Sequence, residues 1–109
     1  MYKQTNIGER LGLKMIFNYM NNSTQYIKKQ LELWNKQFDG IHIKYVFDVE
    51  TKFHIVEISP EEIRRGNAEY KRQELGFWMD FLKLYPEENL LISKLTDMSD
   101  KPIIIYTNI

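Results

Sequence analysis

The stretch Ile41–Ile63, IHIKYVFDVETKFHIVEISPEEI, decides the fold. Ile41, Ile43, Tyr45, Phe47 and Val49 alternate with His42, Lys44, Val46, Asp48 and Glu50, the period of a strand with one covered face. A second run of strand-forming residues spans Lys52–Ile58, so the two read as a β-hairpin turning near Glu50-Thr51. Loop parity sets which side chains share a face. A two-residue loop places Lys44 opposite Glu57, Tyr45 opposite Val56 and Ile43 opposite Ile58. That register joins opposite charges and builds one apolar face, so it is preferred.

The hairpin runs into ISPEEI, which has the form of a helix start. Ser59 fits the N-cap, Pro60 the first helical position and Glu62 the third, with Ile58 and Ile63 placed as a hydrophobic staple. The pattern predicts a helix from Pro60 to about Tyr85, where Pro86 follows. Gly66 and Gly76 lie inside it as points of weakness or kinking.

Before the hairpin, Ile27, Leu31, Trp34 and Phe38 form one helical stripe over about Thr24–Phe38, capped by Asn22 or Ser23 and ended by Asp39-Gly40. Residues 1–22 fit two readings. Leu11, Leu13, Met15, Phe17 and Tyr19 alternate like a strand, whereas Leu11, Met15, Ile16, Tyr19 and Met20 share a helical face. The reading adopted is a helix from about Glu9 to Met20, ended by Asn21-Asn22. After the long helix, short strands are expected at Leu90–Ser93 and Ile103–Tyr106, with a polar loop between. The three consecutive isoleucines suggest a strand covered on both faces. The expected fold class is α+β in a single domain, 1–109. Helices cover one face of a mainly antiparallel sheet of about four strands, in the order α-α-β-β-α-β-β.

Composition narrows the function. The 109 residues carry 15 basic and 15 acidic side chains, so bulk attraction to nucleic acid or an anionic membrane is not expected. The charge is unevenly placed: residues 1–38 hold six basic and two acidic side chains, residues 39–109 nine basic and thirteen acidic. With no cysteine, disulfides, thiolate nucleophiles and zinc–thiolate sites are excluded, and a reducing cytoplasm suits the chain. No apolar run reaches the roughly 20 residues that span a bilayer. No phosphate-binding glycine loop, metalloprotease motif, nucleophile elbow or EF-hand loop is present.

Four features remain as candidates. His42 and His54 fall on opposite faces of the hairpin in the preferred register and cannot share a metal, so a rim His42 and a partly buried His54 beside Phe47 are expected. Glu74 falls amid Tyr70, Phe77, Phe81 and Leu84 on the helical wheel. It is a candidate general acid or base, or else a carboxylate paired with a Lys or a Tyr hydroxyl at the core edge. Arg64, Arg65, Lys71 and Arg72 recur at seven-residue spacing, a basic face that would suit a phosphate backbone or a solvated surface laced with ion pairs. In GFWMDFLKLY (Gly76–Tyr85) the rings Phe77, Trp78, Phe81 and Tyr85 cannot all point one way; core packing accounts for most of them, and any surplus beyond what one sheet covers would leave a patch of the kind that marks interfaces.

With no catalytic constellation and no cofactor signature, the expectation is a small cytoplasmic interaction module of bacterial style. Its partner would be another protein or a second copy of itself, with no membrane. Trp78, Phe77 and Tyr85 are the expected anchors, with Arg65 and Arg72 at the rim. The alternatives are nucleic-acid binding through the basic face and an enzyme using Glu74.

Overall fold

The computed structural model describes residues 7–93 and 102–109, with side chains described from residue 22 to 93 and from 103 onward. Helix α1 (Ile7–Gln37) leads into strands β1 (His42–Asp48) and β2 (Phe53–Ser59). Helices α2 (Glu61–Arg64) and α3 (Ala68–Leu84) follow, then strands β3 (Asn89–Ser93) and β4 (Pro102–Thr107). The fold is α+β, with one four-stranded sheet in the order β3-β2-β1-β4. The β1–β2 and β1–β4 pairs are antiparallel, and the β2–β3 pair is parallel.

The hairpin register is the expected one: Lys44 faces Glu57, Tyr45 faces Val56 and Ile43 faces Ile58. The ladder stops at Asp48 and Phe53, which leaves a four-residue loop instead of two. Asp48 explains the early stop. Its carboxylate accepts the Glu50 N–H at 3.1 Å and the Thr51 hydroxyl at 3.0 Å, while its carbonyl accepts the Lys52 N–H at 2.7 Å. Lys52 takes φ of 63°, the left-handed conformation that closes the loop.

The N-terminal reading needs correction. Asn21-Asn22 does not end a helix, and Ser23 caps nothing; both lie inside the single helix α1. Asn costs a fraction of a kcal/mol relative to Ala in a helix interior, less than leaving two helix ends with orphaned backbone groups. Ser23 is fully buried, so this part of the helix is held by packing. The face assigned to Leu11–Met20 and the polar loop after Ser93 lie outside the described side chains. The C-terminal end is as expected: Gly40 at φ +85° turns the chain from α1 into β1.

The capping box is also overturned. Ser59 remains in the ladder opposite His42, and α2 begins one residue later, with Pro60 at its N-cap and no side-chain cap. The Ser59–Pro60 peptide is cis. The long helix then breaks at residues 65–67. Asn67 starts α3, its side-chain oxygen accepting the Tyr70 N–H at 2.9 Å.

The two glycines of this region behave oppositely. A Cβ on Gly66 would lie 2.5 Å from the Glu62 carbonyl oxygen, whereas one on Gly76 would meet nothing within 4 Å. Gly66→Ala is therefore expected to destabilise by about 1–3 kcal/mol through overpacking against backbone. Gly76→Ala is expected to stabilise by up to about 1 kcal/mol. Urea unfolding of the two variants beside wild type checks both signs, and equal shifts in one direction would refute the break at Gly66.

The core lies between the sheet and the helices. Ile27, Leu31, Trp34 and Phe38 come down from α1, and Tyr70, Phe77 and Phe81 from α3. They meet Ile41, Ile43, Tyr45, Val56, Ile58 and Leu90 from the sheet side. The isoleucine strand is not covered on both faces. β4 is an edge strand, and Ile104 is 59% exposed. It is fastened by Asn108, whose side-chain oxygen accepts the Ile43 N–H at 2.8 Å and whose amide donates to the Ile41 carbonyl at 2.9 Å.

Candidate interaction surface

Helix α3 has two apolar sides. Tyr70, Phe77 and Phe81, spaced seven and four residues apart, turn into the core. Leu75, Trp78 and Met79 turn outward on a second stripe, 59%, 39% and 46% exposed, with the half-buried Leu82 continuing it. The 3.6-residue period allows this because apolar residues fill both arcs of the wheel. Across from the stripe lies the edge strand β3, where Leu91 is 40% exposed. Between them runs an open groove of about 340 Å³, lined by Glu74, Leu75, Trp78, Leu90, Leu91 and Ile92. Trp78 fixes one wall of it, its indole N–H donating to the Leu90 carbonyl at 3.0 Å.

The structure sorts the expected anchors. Trp78 lines the groove. Phe77 is a correction: it is buried, stacked on Tyr26 at 5.7 Å and edge-on to Trp34 at 5.5 Å, so its ring cannot be presented to a partner. Tyr85 is half-buried, packed against Tyr26 and Phe81. Arg65 and Arg72 are exposed, Arg65 paired with Glu61 at 3.0 Å and Arg72 with Glu69.

The basic face does not form as a single helical stripe. The break at residues 65–67 puts Arg64 and Arg65 on α2 or its end, and Lys71 and Arg72 on α3. Arg64 is drawn inward instead, one guanidinium N–H donating to the Ile92 carbonyl at 3.0 Å. Its Nε lies 3.8 Å from Glu74 Oε1, so Glu74 sits between Arg64 and the buried Tyr70 phenol. The phenol is pushed above its ordinary value by burial, and then by the Glu74 carboxylate beside it. Glu74 is thus an ion-paired carboxylate at the core edge and borders the groove.

His54 lies beside Phe47 as expected, but the polar partners that gather around it had no counterpart in the pattern of the sequence. His54, 1% exposed, lies across from Phe47 on the core face of the hairpin, while His42 is exposed on the other face. His54 Nε2 lies 2.7 Å from Glu88 Oε1, an acceptor, so in the neutral ring Nε2 carries the hydrogen and donates to it. Nδ1 is then the acceptor, taking the hydrogen of the Tyr45 hydroxyl at 2.6 Å, and burial keeps that phenol protonated. Burial holds the imidazole below its ordinary value, while the hydrogen bond and charge of Glu88 pull the other way. The neutral ring therefore has both nitrogens satisfied. Ser23 Oγ lies 3.5 Å from Nε2 and is fully buried; because Nε2 already carries its hydrogen toward Glu88, it cannot take the proton of the hydroxyl, so Ser23 is not placed as a nucleophile. Glu88 sits in the connection after α3, and its only sequence signal is proximity to Pro86. Among the described residues no group of three His, Asp or Glu converges as metal ligands would.

No protein-family model, curated protein or solved structure matches the chain. Among the described residues no helix is long and apolar enough to cross a membrane.

Proposed function

We propose that the protein is an interaction module that binds a protein partner at the α3–β3 groove, without catalysis of its own. The second apolar stripe of α3 supports this reading: Leu75, Trp78 and Met79 stand exposed beside Leu91 although the inward stripe already fills the core. A contiguous apolar surface next to a groove is the usual mark of an interface. Trp is the residue type most often found to anchor one. Trp78 is the proposed central anchor, with Leu75 and Met79 around it and Arg72 at the rim. The absence of cysteine suits the reducing cytoplasm proposed as its location.

The test uses Leu75→Glu, a substitution at a well-exposed position that leaves the core untouched. The tagged chain and the variant are used to capture partners from lysate of the source cells, with and without nuclease. A stoichiometric protein should survive nuclease on wild type and fall at least about tenfold on the variant. Equal capture by both would overturn the groove as the site. Loss of all bound material on nuclease treatment would move the function to nucleic acid.

A further inference from the structure

The chemistry of the partner can be read from what surrounds the stripe. Lys71 lies one turn before Leu75 and Lys83 one turn after Met79, both exposed. They bracket the apolar stretch twelve residues apart, about 18 Å along the helix axis. The acidic side chains of α3 are engaged elsewhere. Glu74 faces Arg64 and Tyr70. Glu69 accepts from Arg72 and from Gln73. Asp80 lies toward α1, close enough to Tyr26 to add to the effect of burial on its phenol. The outward stripe is therefore apolar in the middle and basic at both ends, with the Arg64-paired carboxylate of Glu74 on the wall of the groove.

The binding mode is narrowed by the strand edge beside the groove. The outward carbonyls of Leu90 and Ile92 are taken by the Trp78 indole and the Arg64 guanidinium. A partner adding a strand to β3 needs those carbonyls, so strand addition is disfavoured and a helix laid along the groove is left. A second copy of α3 fits poorly. Antiparallel two-fold pairing through the apolar middle brings the Lys71 end of one copy to the Lys83 end of the other, basic end against basic end.

Building on the interaction reading, we infer that the groove receives an amphipathic helix of a protein partner. A bulky apolar side chain seats between Trp78 and Leu91, and carboxylates flanking the apolar face meet Lys71 and Lys83. Such charges set partner choice more than raw affinity.

The experiment is selection from a displayed library of amphipathic helices. The apolar face is varied among Leu, Ile, Phe and Met, and the flanking positions among Glu, Ser and Lys. The targets are immobilised full-length wild type, Leu75→Glu, and the double variant Lys71→Glu/Lys83→Glu. Wild type should enrich Glu over Lys at the flanks at least about tenfold. The double variant should reverse that preference, and Leu75→Glu should enrich nothing. Identical flanks selected by wild type and the double variant would overturn the charge assignment and leave the interaction reading standing. No enrichment on wild type, with lysate capture still sensitive to Leu75→Glu, would overturn the helical partner alone. No enrichment together with insensitive capture would remove both. Binding of wild type to vesicles of three parts phosphatidylcholine to one part phosphatidylserine, without helix enrichment, would assign the surface to lipid and refute a protein partner.

Discussion

Trp34→Ala is expected to cost about 3–5 kcal/mol of unfolding free energy, enough to unfold many domains of this size. Trp34 is fully buried on α1 and lies edge-on to Tyr70 at 4.9 Å and to Phe77 at 5.5 Å. Its indole N–H donates to Gln73 Oε1 at 2.9 Å. One side chain thus joins the first helix to the third by packing and by a hydrogen bond. Trp34→Phe keeps most of the ring and loses only the hydrogen bond to Gln73, so it should cost about 1–2 kcal/mol. Chemical denaturation of both variants measures the gap. Equal losses would mean that the ring contributes little, and the packing described for the α1–α3 contact would be wrong.

His54→Ala is expected to cost about 3–5 kcal/mol, because it strands Tyr45 and Glu88 in the interior as well as opening a cavity. Glu88→Gln should cost much less, since the amide oxygen can still accept from Nε2. The pH dependence carries a definite sign. Burial keeps the folded imidazole below its ordinary value of 6.5, so near and below that pH the unfolded chain binds a proton that the folded chain resists. Stability from this group is complete above about pH 6.5 and is lost as pH falls through the folded value. The gap between wild type and His54→Ala should therefore narrow on acidification. Urea unfolding at pH 8, 6 and 5 would show it, and a widening gap would mean that Glu88 outweighs burial and the pair is ionic.

The parts of this fold legible in the sequence are those governed by local periodicity. The stripe Ile27–Leu31–Trp34–Phe38 and the hairpin register follow from spacing and from opposed charges, and both are in the structure. Readings failed where local signals had tertiary competitors. Ser59 has the chemistry of a cap, but the ladder opposite His42 holds it. Asn67 is the cap that forms, and only Gly66-Asn67 before Ala68-Glu69 hinted at it. Glu88 meets His54 across 34 positions of chain, which no spacing rule reaches. At the candidate surface, the surplus of rings in Gly76–Tyr85 was visible. Which rings face outward was not, because Phe77 and Trp78 differ by one position and the wheel has apolar residues on both arcs.

Trp78 bears on more than recognition. Its indole closes a carbonyl on the rim of the sheet, as Arg64 closes the next, so the same ring that a partner would grip also keeps β3 from templating a stray strand. Losing it would do two kinds of harm at once: weaker binding, and a sticky edge that invites clumping. A Trp78→Ala variant that precipitates would report the uncovered edge before it reported any loss of binding. Leu75 and Met79 close no such carbonyl, so on the proposed reading they are the positions where partner choice can change while the tryptophan stays in place.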